Sequence, residues 1–255
     1  MKRILKNAVM GAVLTAAIAG LTTVQAAESS LDAAYFSSYV WRGQVLNDES
    51  VLQPAFTTTT DFGLSLNAWG NMDLTDQFDN RGELSEVDLT VSYALPLEGL
   101  VGVEVGVIEY LFPKEGNFEE HHDLDTREFY GKVSIDVVSA PTLAVYYDAD
   151  EVDGAYGTAG VSHSFDLVEK LTLDVAASIG VGSKDYNEYY FAEDSLALND
   201  INGSAGLSYA VTEKLSLSGV LQYTFLPDSK ISDGAEEIFG KDDRLFVGVS
   251  ASYGF

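Results

Sequence analysis

Ionisable residues recur at even spacings in this chain: Glu86 and Asp88, then Glu128, Lys132 and Asp136, with Glu104, Asp148 and Asp174 in similar extended surroundings. Successive side chains of an extended segment point to opposite faces, so even spacing gathers these charges on one face. The alternate phase is apolar: Leu89, Val91 and Tyr93; Val101, Val103, Val105 and Val107; Phe129, Val133, Ile135 and Val137; Leu215, Leu217, Leu221 and Tyr223. On this phasing the polar face carries Asp32, Asp73, Glu86, Asp88, Glu104, Glu128, Asp136, Asp148 and Asp174 against only Arg42, Lys132 and Arg244. Such a face does one of two things. It concentrates cations in water, or it closes on itself through ion pairs with Lys132 and Arg244 as hubs.

Other reactive groupings are weaker. His163-Ser164 is the sole His–Ser neighbour pair, and an acyl hydrolase would need the histidine to reach the serine. In an extended segment the two side chains diverge, and the pair lies near the inner end of its segment, so His163 reads as an interfacial residue beside Phe165. His121-His122 lies among Glu119, Glu120 and Asp123, a composition that could bind a transition metal and that a solvated loop explains as well. Asp148 to Gly154 has the carboxylates of a calcium loop without its spacing, because Val152 stands where a ligand belongs. No cofactor, metal or catalytic residue is expected.

The elements that would position the charged face are strands. Alternation recurs near 31–42, 50–60, 63–73, 84–95, 100–111, 126–138, 142–149, 155–165, 170–182, 201–211, 214–226 and 244–255, and no stretch beyond residue 26 shows a capped helical repeat. The last runs from Leu245 through Val247, Val249, Ala251 and Tyr253 to a terminal Phe255, with the aromatics placed for an interfacial girdle. Connections alternate between short (61–62, 96–99, 139–141, 166–169, 212–213) and long (43–49, 74–83, 112–125, 150–154, 183–200, 227–243). Even strand number and this alternation describe a transmembrane barrel with tight inner turns and longer outer loops. The fold expected is therefore all-β: a single antiparallel transmembrane β-barrel of about twelve strands over residues 27–255. The charged face then lines a lumen, and the pore-lining set is Arg42, Glu86, Asp88, Glu104, Glu128, Lys132, Asp136, Asp148, Asp174 and Arg244. Small lumen residues such as Gly102, Gly106, Gly160, Gly180, Gly206 and Gly248 are expected to leave space.

Residues 1–26 read as a cleaved export signal, with Lys2, Arg3 and Lys6 before an apolar stretch and small residues at Val24 and Ala26. The chain has no cysteine and carries 40 Asp+Glu against 14 Lys+Arg, a formal net charge of −26. So acidic a protein is not a nucleic-acid binder and does not dock on anionic lipid. With 46% hydrophobic residues spread in alternation, it is not disordered.

The stretch from Ser38 to Phe56 (SYVWRGQVLNDESVLQPAF) resembles the opening of TorF-type porins: a Tyr-x-aromatic-Arg-Gly strand end, a short acidic loop and an outgoing strand. Asn67–Asn71, Glu86–Leu89 and Val105–Pro113 follow in the same order; beyond Pro113 the likeness rests on strand pattern, and the loops 183–200 and 227–243 are larger. The resemblance implies an outer-membrane β-barrel porin without an assigned substrate. Residue reading and resemblance together predict a Gram-negative outer-membrane channel for passive diffusion of small hydrophilic solutes, cation-selective, with outer-membrane lipid and lipopolysaccharide as surroundings and a monomer favoured. Two other readings compete: a closed structural or adhesive barrel acting through its external loops, and an outer-membrane lipid-modifying enzyme. Arg42 at the external rim is expected to point inward and to pair with a carboxylate, pinning a loop. The aromatics Tyr186, Tyr189, Tyr190 and Phe191 would form either an adhesive patch or a constriction.

Overall fold

A computed structural model describes residues 28–77, 81–113 and 125–255. Twelve strands close into an antiparallel barrel. They are β1 (Glu28–Phe36), β4 (Val51–Thr59), β5 (Leu64–Asp73), β6 (Leu84–Ala94), β7 (Val101–Leu111), β8 (Thr126–Ile135), β9 (Thr142–Asp148), β10 (Ala155–Val168), β11 (Leu171–Gly182), β12 (Ala197–Ala210), β13 (Leu215–Phe225) and β14 (Asp243–Gly254). Each pairs with its neighbour in sequence, and β1 closes the ring by pairing with β14 as well as β4, with Ala33 opposite Ala251 on one side and Pro54 on the other. The Phe255 N–H donates to the Ser29 carbonyl at 2.9 Å, so both ends of the described barrel sit on one rim. Closure leaves no unpaired edge, which is what a sheet needs where water cannot satisfy its backbone.

The pleat sorts the side chains as alternation predicts. Val105, Phe129, Val133, Leu217, Leu221, Leu245, Val247 and Val249 are exposed on the outer face. Tyr253 and Phe255 stack on each other, and Phe255 stacks on Phe56, in an aromatic cluster at the rim that carries the termini. Besides Asp243 at the outer end of β14, which accepts from the Tyr223 hydroxyl, the outward phase holds the charges Glu109 and Arg127. They face each other across β7 and β8 and pair at 2.6 Å, which removes most of the cost of leaving either alone against apolar surroundings.

Two sequence expectations are corrected. The first strand does not run to Arg42. It ends at Phe36, and the chain folds back into a small hairpin of β2 (Tyr39–Trp41) and β3 (Gln44–Asn47) that is separate from the barrel sheet. Its two-residue turn is Arg42-Gly43, both with positive φ (47° and 82°), the twist that suits a tight hairpin. Helices also occur. α1 (Lys184–Phe191) starts at the N-cap Ser183, whose side chain accepts from the Tyr186 N–H; α2 (Ser229–Phe239) starts at Asp228, which accepts from the Lys230 N–H, and ends at Gly240 with φ 73°. Among the described residues no helix is long and apolar enough to cross a membrane.

Both helices lie at the external end, where they bury an apolar cluster of Val152, Tyr156, Tyr186, Phe191, Leu226 and Ile231. Asn187 and Asn199, both fully buried, tie α1 to the barrel rim: Asn199 Nδ2 donates to Asn187 Oδ1 at 2.6 Å, and Asn187 Nδ2 donates to the carbonyls of Gly182 and Ser195. Lys230 reaches Glu193 at 2.7 Å and links the two outer segments.

Candidate functional site: the lumen and its hairpin plug

The β2–β3 hairpin folds into the barrel mouth and touches the wall on almost every side. The Tyr39 ring packs tilted against Trp69 of β5, and its hydroxyl donates to Glu86 of β6 at 2.8 Å. Asn47 Nδ2 donates to Asp73 Oδ1 of β5 at 2.7 Å. Gln44 Nε2 donates to the Tyr186 hydroxyl of α1 at 3.3 Å. On the opposite side the Arg244 guanidinium of β14 donates to the Asp48 carbonyl, and Lys241 pairs with the Asp48 carboxylate at 3.2 Å.

Arg42 is the centre of this closure. Its two terminal nitrogens donate to the two oxygens of Glu128 on β8, at 2.7 and 2.6 Å. The guanidinium carbon lies 4.3 Å from the Trp41 ring centre, 4.5 Å from Tyr146 and 4.6 Å from Tyr156. A two-pronged carboxylate pair inside an aromatic cage fixes the hairpin tip in position and orientation. Burial works to lower the Arg42 pKa, and the Glu128 carboxylate together with the Tyr186 and Tyr110 hydroxyls more than reverses it, so the group is held charged well above its ordinary range. Gly43 makes the tight approach possible: a Cβ there would lie 2.5 Å from Leu226 and 2.9 Å from Asp200. Burial raises the Tyr39 hydroxyl pKa, as do the neighbouring Glu86 and Asp88, so Tyr39 stays a donor.

Below the hairpin lies a cavity of about 610 Å³. Its polar wall is mostly neutral, with Thr142, Thr158, Ser178, Asn202, Ser204 and Gln222, and of the predicted pore-lining set only Arg42 reaches it. The others lie apart from it and from one another, Arg244 at the Asp48 carbonyl as above. Glu86, Asp88 and Glu128 sit together beside the hairpin; Glu86 and Glu128 are bound by Tyr39 and by Arg42 with Tyr110, and Asp88 Oδ1 is buried without a partner. Glu104, Lys132 and Asp174 lie toward the inner end: Lys132 pairs with Glu104 at 3.0 Å, and Asp174 accepts from the hydroxyls of Ser164 and Ser208. Asp32, also inward on β1, accepts from Ser30. Asp136 and Asp148 depart from the expected lining. Asp136 follows the end of β8 in an exposed turn, and Asp148 is buried at the outer end of β9, where it accepts from Thr126 and from the N–H groups of Asp150, Glu151 and Val152. Asp148 thus caps the turn 148–154 through that turn's own backbone N–H groups, which explains the carboxylates there without a calcium ion.

The interior hubs also differ from expectation. Lys132 and Arg244 each hold a single partner group, and the hub is Arg42. Nor do the lumen glycines all leave space. The Tyr130 ring fills the place of a Gly106 side chain, Tyr156 and Asp200 fill that of Gly180, and Phe36 that of Gly248, each within 2.5 Å of where a Cβ would stand. The glycines make room for inward rings of neighbouring strands. The aromatic segment 183–200 turns inward, with Tyr186 and Phe191 buried and Tyr189 exposed.

His163 Nδ1 contacts the Val138 carbonyl at 2.7 Å and its ring packs edge-on against Phe165, while Ser164 Oγ donates to Asp174, so the two do not form a base–nucleophile pair. Among the described residues no group of three or more His, Asp or Glu side chains could hold a metal ion. His121, His122 and the export signal lie outside the described residues. Sequence reading missed Tyr39, Gln44, Asn47, Tyr110, Tyr156 and Asp200 as parts of this arrangement. The one signal that could have found the hairpin is Val40-Trp41-Arg42-Gly43-Gln44-Val45, two short alternating arms about a two-residue turn ending in glycine.

A family model described as "Bacterial protein of unknown function (Gcw_chp)" matches residues 22–252. No curated protein sequence matches the chain. Among solved structures, the KdgM porin is similar with a TM-score of 0.53 at 12% identity, over 89% of this chain and 99% of that one. The KdgM porin in complex with disordered oligogalacturonate gives 0.53 at 11%, over 89% and 99%. The NanC porin gives 0.53 at 12%, over 88% of this chain and 98% of its own. At such identities the likeness is one of fold: a closed barrel of the same strand architecture over nearly the whole length of both chains. The family match carries the Gcw_chp description, and the similarity to porin barrels agrees with the TorF-type resemblance at the level of a porin-like barrel.

Proposed function

The chain belongs to the Gcw_chp family of bacterial proteins, and we propose that it is an outer-membrane channel for passive diffusion of small hydrophilic solutes, cation-preferring, with its external mouth closed by the β2–β3 hairpin. The observation that carries this reading is the cavity of about 610 Å³, lined in part by hydroxyl and amide side chains, inside a barrel whose outer face is apolar. A barrel built only as a scaffold would fill that space with side chains. Cation preference rests on Asp32 and Asp174, whose partners are neutral serine hydroxyls that leave the charge uncancelled. The oligogalacturonate of the KdgM complex is an anionic sugar chain, and like charge opposes such a cargo here. We place the protein in the outer membrane of a diderm bacterium as a monomer among lipid and lipopolysaccharide, exported through a signal at residues 1–26. The TorF-type resemblance from Tyr39 to Pro113 supports the same assignment.

The test is single-channel recording in a planar bilayer under a KCl gradient. A cation-signed reversal potential that moves toward zero in an Asp32→Asn, Asp174→Asn double variant is expected. Anion preference, or silence even after residues 38–48 are replaced by a short linker, overturns the channel. The hairpin's wall-to-wall contacts favour one second reading, a closed barrel that works through its external loops, and silence after hairpin removal is the result that would select it.

A further inference from the structure

A second, smaller cavity of about 180 Å³ lies between the hairpin and the β6–β8 wall, with Trp41, Gln44, Glu86, Tyr110, Glu151 and Tyr190 on its surface. We propose that it is a binding site for a small organic cation carrying a protonated primary amine, a short alkylammonium.

Its surface offers acceptors and ring faces. Trp41 meets Tyr110 at 6.0 Å and Tyr190 at 5.6 Å, both edge-on, so the three rings stand at steep angles to one another like the sides of a box. Electron-rich ring faces attract an ammonium once water is excluded. Glu128 also borders the space, but Arg42 neutralises it; the other carboxyl groups on the cavity surface are Glu86 and, at its exposed edge, Glu151. The independent sign of a ligand is Gln44. It is 1% exposed, its Nε2 is committed to the Tyr186 hydroxyl, and its Oε1 has no partner. A buried carbonyl oxygen left without a donor is costly, and an N–H donor entering this cavity would satisfy it. Inorganic cations fit poorly, since among the described residues no group of ligating side chains could hold a metal. Sites for drug-sized ligands run from about 300 Å³ upward, so an oligosaccharide is too large. A head that donates N–H bonds to Gln44 and Glu86, with a short alkyl tail against Trp41 and the tyrosines, matches each surface.

The inference deepens the cation-preferring channel and rests on that reading only for the route by which the amine arrives. Binding to the detergent-solubilised full chain is therefore measured without reference to conduction. The chain has two tryptophans, so Trp69→Phe leaves Trp41 as the reporter. n-Butylammonium chloride is titrated at constant ionic strength beside KCl, tetramethylammonium chloride and n-butanol. Saturable change in Trp41 fluorescence with n-butylammonium alone is expected. Gln44→Leu should weaken it about tenfold, the worth of one hydrogen bond to a charged group. Glu86→Gln, which keeps an acceptor for Tyr39, should weaken it as well. Absence of saturation, equal binding of tetramethylammonium (which has no N–H to donate) or of butanol, or undiminished binding in both variants overturns the site. Saturable binding in a protein that never conducts would leave the site standing and remove the channel; conduction without binding would do the reverse.

Discussion

Arg42 holds an unfavourable backbone conformation and a buried charge at once, and both are tolerable only because of what surrounds it. A non-glycine residue at φ 47° costs roughly 1–2 kcal/mol. The bidentate bond to Glu128 and the three rings about the guanidinium offset it, and they also compensate for its desolvation. Removing one partner leaves the other charge buried alone. Arg42→Ala should therefore destabilise the plugged state by about 3–5 kcal/mol and raise the frequency of open events in single-channel records. Glu128→Gln should do the same, and the double variant should be less damaging than the sum of the two. Additive effects in that cycle would mean that the pair does not hold the hairpin.

The hairpin is held along its length as well as at its tip. Asp48 is partly buried, which raises its pKa, but hydrogen bonds from Lys241 and Gln77 with the charge of Lys241 more than reverse this, and the net direction is downward. A carboxylate with a lowered folded-state pKa stabilises above the unfolded value, about 3.9, and loses that contribution as pH falls through the folded value. The tie between hairpin and α2 should thus persist at pH 4 and release only in stronger acid. An NMR titration of the Asp48 carboxyl carbon in micelles should give a midpoint below the ordinary aspartate value, rising toward it in Lys241→Ala. α2 depends on its ends: Asp228→Ala removes the N-cap and should cost about 1 kcal/mol, seen as faster proteolysis of the 227–242 loop with the barrel intact. The helix could have been read from Asp228, Gly240 and the spacing of Ile231, Ala235 and Phe239, but Gly234 and the polar residues Ser229, Lys230, Ser232 and Asp233 at its start blurred the pattern. The hairpin was hidden more thoroughly. The phase of Leu31, Ala33 and Tyr35 resumes at Tyr39 and Trp41, and the break at Ser37-Ser38 is too short for periodicity to show that the chain turns back after Phe36.

For the whole molecule, stability is a matter of which face meets which solvent. Val105 lies outward and exposed at mid-strand, so Val105→Arg should cost about 2–4 kcal/mol, measured by urea titration of the refolded barrel in lipid vesicles. Ser204→Arg on the cavity wall should cost far less and should instead shift ion preference toward anions. Equal penalties at the two positions would mean that the two faces do not meet different solvents, and a larger penalty at Ser204 that they have been assigned the wrong way round. The amino-acid order alone determined the closed barrel, its strand count, its face assignment and the alternation of short and long connections, because each follows from a two-residue period and from where that period is interrupted. Glu109 and Arg127 were visible as exceptions on the outer face; that they face each other was a matter of register. Only the tertiary structure decided that Arg42 of the first loop meets Glu128, that rings from neighbouring strands fill the places beside Gly106, Gly180 and Gly248, and that Gln44 keeps an unanswered oxygen at a small aromatic cavity. Those contacts join residues far apart in the chain across an enclosed space, and local periodicity, which reports only the face a side chain takes, holds no information about what stands opposite.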